Sequence, residues 1–253
     1  MITSCVIGSE AAAIHFPDFR TIKDKDAVSK TPIKGWETHY SPGFDYLLNQ
    51  QKLIASPDEL YTIKVSHAAW NIHWEKTMHD IEFFQLKGCK VIEEFYQALY
   101  KDWEIIHGAK KAHLNVYNDD FFTCSVNRKY DHDWLHEQMM YYDTPMYFKI
   151  KTNKEKAFVE KKLFDNLSFE DKIRNVREEA FVVALERFMI PSEFMMNPSV
   201  AYRKALKALI THMTKGWWPR FIIENWYQIK PLEDCDKYIN FIKTEGRKYE
   251  KCG

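Results

Sequence analysis

Asp24 and Asp26 stand one residue apart in the stretch VIGSEAAAIHFPDFRTIKDKDA, and a Gly8-Ser9 pair precedes them directly after a short apolar run. Alternate residues of an extended segment project to one face, so two aspartates at this spacing can grip a divalent cation together. A turn that feeds a helix N-terminus leaves backbone N–H groups unpaired, and these groups together with the helix dipole favour an anion such as phosphate. Carboxylates for a cation beside a turn for an anion suit chemistry on phosphate esters. The competing reading is structural: an ordinary turn followed by a solvated charge run, KDKD.

Further polar residues follow at informative spacings. Lys64 lies inside the otherwise apolar LYTIKV and needs a partner or an exit to solvent. Lys76 and Asp80 are four apart and share a face of one helix. His67, His79 and Asp80 are followed by KYDHDWLHEQM, where His132 and His136 stand at i and i+4 beside Asp131 and Asp133. Imidazole and carboxylate together suit Mn²⁺, Co²⁺ or Fe²⁺, whereas histidines beside Trp134 and Leu135 also serve as packing residues with one satisfied nitrogen. HDWLH lacks the glutamate that HExxH places after its first histidine, so no zinc pair of that kind is expected. Glu186 with Arg187 reads as a structural pair, and Arg203, Lys204, Lys207, Lys215 and Arg220 form a basic edge that is either a solvated helix face or a surface for phosphate.

The elements that position these groups follow from apolar spacing and punctuation. Ser4–Ile7 reads as a buried strand, and Glu10–His15 as a helix stopped by Pro17. Thr31–Asn49, with Pro32, Gly35, Pro42 and Gly43, reads as loop. Leu60–Val65 suits a strand or a helix start; Ser66–Leu86 reads as one helix stopped at Gly88, and Val91–Ile106 as an amphipathic helix. Met146–Ile150 and Ala157–Glu160 suit two strands, and Ser168 with Asp171 resembles a capping box opening a helix to Phe188. Helices are expected over Pro198–Thr214, Pro219–Tyr227 and Glu233–Lys248. The expected fold is α+β: a small N-terminal mixed sheet in residues 1–90 and a larger, mostly helical portion in 91–253, possible also as one continuous domain.

The 253 residues carry zero formal net charge, which argues against binding nucleic acid through a global positive field. Aromatics make up 15% of the chain while glycine and proline are few, a composition for bulky helix packing and unlike a disordered chain. Cys5, Cys89, Cys124, Cys235 and Cys252 are odd in number without a CxxC pair, so free thiols in a reducing compartment are expected. No signal-peptide pattern or membrane-spanning run is visible, so the expectation is a cytoplasmic protein without a membrane partner.

The order Gly8-Ser9, Asp24-x-Asp26, Lys64, Asp80 resembles the nucleotidyltransferase signature of the polymerase-beta type superfamily, in particular the group related to the AbiEii and MenA-type toxins. The KYDHDWLHE and ALERFMIP segments are similar to a largely uncharacterised family from tailed phages and large DNA viruses, which implies a host-cell cytoplasm as the setting. The first resemblance implies a nucleotidyltransferase-like sheet and transfer of a nucleotidyl group from an NTP to an acceptor that is RNA, protein or a small molecule. It further implies Mg²⁺, or Mn²⁺, on Asp24, Asp26 and Asp80, phosphates on Gly8 and Ser9, and Lys64 stabilising the leaving group. A second resemblance, His67, His79-Asp80 and one of Asp131, His132 or Asp133, is to the ligand order of HD-type phosphohydrolases acting on nucleotides. A third reading is a catalytically inactive interaction protein.

Overall fold

The computed structural model describes residues 3–22, 24–114, 161–184, 188–189, 195–211 and 217–232. The chain is an α+β protein with a three-stranded mixed sheet near its N-terminus. It divides into two compact units, Met1–His113 and Leu114–Gly253.

In the first unit, strand β1 (Ser4–Ile7) passes without a linker into helix α1 (Gly8–His15). Gly8 makes that corner in the left-handed region, with φ at +67°, a conformation that glycine adopts without steric penalty. Strand β2 (Asp26–Ser29) returns antiparallel to β1, and β3 (Glu37–His39) lies parallel to β2 on its other side, so β2 is central. The segment read as loop over Thr31–Asn49 therefore contains a strand, followed by a 3-10 turn at Pro42–Phe44 and helix α2 (Asp45–Asn49). Its prolines and glycines punctuate these short elements at their ends.

Helix α3 (Pro57–Ala68) settles the ambiguity over Leu60–Val65 in favour of helix. Ser56 caps it: the Ser56 hydroxyl oxygen accepts from the Glu59 backbone N–H, and the Glu59 carboxylate accepts from the Ser56 N–H at 2.7 Å. Pro57 at the first helical position is pre-set for this entry. The helix expected from Ser66 to Leu86 is broken, because Asn71 and His73 take left-handed φ values of 60° and 43°, and α4 starts afresh at Trp74–Leu86. Gly88, at φ +77°, stands just beyond that helix where a stop was expected.

Helix α5 (Glu93–Leu114) belongs with the N-terminal unit up to its boundary, which lies beyond residue 90. The physical reason is its buried face: Phe95 and Leu99 are fully enclosed, Tyr46 stacks on Phe95 at 4.6 Å, and the Trp103 indole N–H donates to the Ser66 hydroxyl at 3.1 Å. An aromatic cluster of Phe16, Phe19, Phe83 and Phe84 holds the connection after α1 against α4, with Phe19 and Phe83 ring centres 4.9 Å apart.

Among the described residues of the second unit every long element is a helix: α6 (Lys161–Asp165), α7 (Phe169–Ala184), α8 (Pro198–Thr211), α9 (Trp217–Glu224) and α10 (Trp226–Ile229). Ser168 opens α7 as expected, its hydroxyl accepting from the Asp171 N–H at 3.0 Å. The core of the unit is formed by Val176, Ala180, Phe181, Leu206, Leu209 and Ile222, and the buried Tyr202 hydroxyl donates to the Ile229 carbonyl at 2.9 Å. Asp131, His132, Asp133 and His136, the two strands expected within 146–160 and the helix expected at Glu233–Lys248 lie outside the described residues. No helix among the described residues is long and apolar enough to cross a membrane.

Candidate functional site

Sheet register brings the first polar cluster together. Asp26 pairs with Glu37 across β2 and β3, and His39 follows two positions along, on the same face as Glu37. His39 Nε2 lies 3.1 Å from Asp26 Oδ1 and 3.8 Å from a Glu37 oxygen. One ligand atom from each of the three lies within 4.8 Å of the others, close enough to face one cation. The hydrogen bond from His39 holds the Asp26 carboxyl below its ordinary value, and Asp26 in turn raises the His39 imidazole.

The second cluster comes from three other segments. Asp80 on α4 is fully buried and accepts both hydrogen bonds of a forked pair from Arg20, at 2.6 and 2.9 Å. Lys64 Nζ on α3 lies 3.0 Å from Asp80 Oδ2. Burial alone would raise the Asp80 carboxyl; the Arg20 hydrogen bonds and the Lys64 charge outweigh that and hold it below the usual range. Burial lowers the Lys64 ammonium, with Asp80 opposing. The trio carries two cations and one anion, so one net positive charge remains at Lys64 and Arg20.

Both clusters contribute to one cavity of about 550 Å³. Gly8, Asp24, Asp26, Lys64 and Asp80, five of the six residues singled out by the nucleotidyltransferase resemblance, line it together with Glu37, His39, His67, Lys76 and Trp103. Their contacts differ from those the resemblance implies. Asp24 precedes β2, is half exposed and lies 3.5 Å from Lys76, so Asp26 has Glu37 and His39 as neighbours in place of Asp24. Asp80 has both oxygens engaged by cations, which makes it the anchor for Lys64 and unsuited to a metal ion. Ser9 is buried, with its hydroxyl pointed at the Asp24 carbonyl at 3.5 Å, and is not part of the cavity wall.

The set of the second resemblance does not assemble among the described residues. His79 is 65% exposed on its side chain, and His67 Nε2 contacts the Thr77 hydroxyl at 3.1 Å. Glu37, His39 and Arg20 carried no signal as motifs. The alternation Glu37-x-His39 is the one visible trace, and it was masked by the loop-like composition around it.

Gly8 is also the tightest contact of the site. A Cβ there would meet Asp26 Oδ2 at 2.2 Å. Gly8→Ala is expected to displace the Asp26 carboxylate and to destabilise the unit by about 1–2 kcal/mol through the left-handed backbone alone. Chemical denaturation and Mn²⁺ titration of the same sample measure the two effects.

The fold and site thus define an α+β protein whose cavity pairs a carboxylate–imidazole cluster with a largely enclosed lysine. The chain belongs to the family described as a domain of unknown function, DUF7275, whose model matches residues 59–243. Lys64, His67 and Asp80 fall inside that match, and Gly8 to His39 precede it. No curated protein and no solved structure matches the chain.

Proposed function

We propose that the N-terminal unit is a metal-dependent nucleotidyltransferase, moving a nucleotidyl group from an NTP to an acceptor. The observation that carries this reading is the convergence of Gly8, Asp26 and Lys64, drawn from three separated segments, on one cavity of about 550 Å³, a size within the usual range for small-molecule sites.

Asp26 and Glu37 offer the oxygen ligands that Mg²⁺ takes, and the imidazole of His39 adds a nitrogen suited to Mn²⁺. A divalent ion held there by Asp26, Glu37 and His39 would supply charge neutralisation for a triphosphate. The chain's own groups do the rest. The uncapped start of α1, at Gly8, offers backbone N–H donors to phosphate oxygens. Lys64, held in place by Asp80, presents a fixed positive charge to the phosphates, where charge develops as the acceptor oxygen bonds to the α-phosphorus and pyrophosphate departs. Because Arg20 already satisfies Asp80, Lys64 is not neutralised within its own trio.

The buried Cys5 and the half-buried Cys89 are free thiols, in keeping with a cytoplasmic setting, that of a host cell if the protein is viral. The test is transfer of label to RNA, protein or small-molecule acceptors from NTPs carrying ³²P at the α or the γ position, with Mg²⁺ or Mn²⁺. Label should move from the α position, with none from the γ position, and chelation should abolish it. Release of inorganic phosphate without α-label transfer would replace this reading with the phosphohydrolase one.

A further inference from the structure

His67 stands one turn beyond Lys64 on α3, about 4.5 Å further along the helix axis, and borders the same cavity. Its neighbours fix which nitrogen carries the hydrogen. The Thr77 hydroxyl donates to the Ile72 carbonyl at 3.0 Å, and a hydroxyl has one hydrogen to give. The contact of 3.1 Å between His67 Nε2 and the Thr77 oxygen is therefore a donation from the ring. Nε2 is the protonated nitrogen, and Nδ1 of the neutral ring is an acceptor only. Burial, with the Lys64 charge adding to it, holds the imidazole well below its ordinary pKa, so the ring stays neutral near pH 7. No group among the described residues donates to Nδ1.

The ring cannot readily turn to exchange these roles. Trp103 meets it edge-on at 5.9 Å, and the indole is itself pinned by its N–H to Ser66 Oγ at 3.1 Å, which donates onward to the Ile63 carbonyl at 2.8 Å. Ile63, Ile72 and the indole of Trp103 give the cavity an apolar, partly planar stretch of wall, with Lys64, His73, Thr77 and His107 also lining it. Of the charged residues that line the cavity, Asp26, Glu37 and Lys64 are those assigned above to the metal and the phosphates. Nδ1 is not among the enclosed atoms without a partner, so it is open to the cavity and available to a donor on a ligand, and flat apolar walls suit a heteroaromatic ring.

We infer that His67 selects the nucleobase: its Nδ1 accepts a hydrogen bond from an exocyclic amino group, so the cavity takes adenine or cytosine nucleotides over their oxo counterparts, hypoxanthine and uracil. An oxo group at that position would set two acceptors against each other. This inference rests on the nucleotide reading above and adds the class of base to it.

The experiment is calorimetric binding of ATP against ITP, and CTP against UTP, to the full chain in Mg²⁺. ATP and CTP should bind at least about tenfold more tightly than their oxo partners, the scale of one hydrogen bond gained against one acceptor clash. His67→Leu should bring both ratios close to one. His67→Gln, which offers a carbonyl to one partner and an amide N–H to the other, should do the same while keeping a polar contact to Thr77. Equal binding of the amino and oxo partners by the unaltered protein, or discrimination that survives in His67→Gln, would overturn the inference and leave the nucleotide reading standing. Failure of all four triphosphates to bind would remove both. Independently of any ligand, ¹⁵N shifts of the His67 ring should report the neutral Nε2–H tautomer at pH 7; an Nδ1–H tautomer would contradict the assignment.

Discussion

Asp80→Ala should lower the stability of the protein by about 3 kcal/mol, the scale for leaving a buried charge without its partner, and should do so while the folded fraction still binds Mn²⁺. Asp80 is fully enclosed between Arg20, which approaches from the connection after α1, and Lys64 on α3. Removing the carboxylate leaves two cations facing each other with limited access to water. Urea denaturation gives the stability change, and Mn²⁺ titration below the transition gives the second half of the result. If metal binding disappears with little change in stability, Asp80 is a ligand after all and the anchoring role is wrong. The pH dependence has a definite sign. A carboxyl depressed in the folded state contributes stability that is present above the ordinary aspartate value of about 3.9, and that stability is lost as pH falls towards the folded value. Asp80→Asn should therefore lose less stability than the unaltered protein across that acid range.

Asp26→Asn should have the opposite profile: a loss of transfer of about 10³-fold, from several kcal/mol of metal-assisted charge stabilisation, with a much smaller effect on folding. Asp26 is half-buried and its principal partner is His39, so the amide that replaces it still accepts a hydrogen bond from the imidazole. Transfer kinetics with α-labelled NTP and Mn²⁺ binding by electron paramagnetic resonance should fall together. Asp24→Asn provides the contrast, because Asp24 is half exposed and its contact is with Lys76; it should leave most of the activity in place. Equal losses in the two variants would restore the Asp24–Asp26 pair as a joint ligand set, and unchanged transfer in Asp26→Asn would sink the proposed function.

The contrast between these two aspartates shows how far the sequence could be read. Strand β1, the corner at Gly8 and helix α1 follow from local signals, since an apolar run, a glycine and an alanine-rich segment act over a few residues. Lys64 was visible as a lysine in an apolar run that needs a partner, whereas Asp80 was visible only through its spacing from Lys76 and through the resemblances; the packing of α3 on α4 makes Asp80 that partner. Asp80 as an anchor was not visible, because that depends on Arg20 crossing 60 positions of sequence to reach it. Glu37 and His39 were hidden for a related reason. A strand of three residues has too little length for alternation to stand out, and its partner β2 is separated from it by a connection that holds Pro32 and Gly35 and reads as loop. Asp24 misled because the spacing of the pair implies a shared strand, whereas the strand begins only at Asp26.

The pairing of Asp26 with Glu37 across a short parallel edge has a consequence for how the sheet holds together. Strand β3 contributes three residues, and among the described residues it has a strand neighbour on one side only. Such a strand opens readily, and a slip of one position would turn Glu37 and His39 to the opposite face. A cation held by both strands, as proposed, would bind only the correctly aligned arrangement, and would stabilise that alignment according to its concentration relative to its dissociation constant. The ion would then act as a clasp as well as a reagent, and the edge of the sheet would be most firmly closed when the protein is charged for transfer.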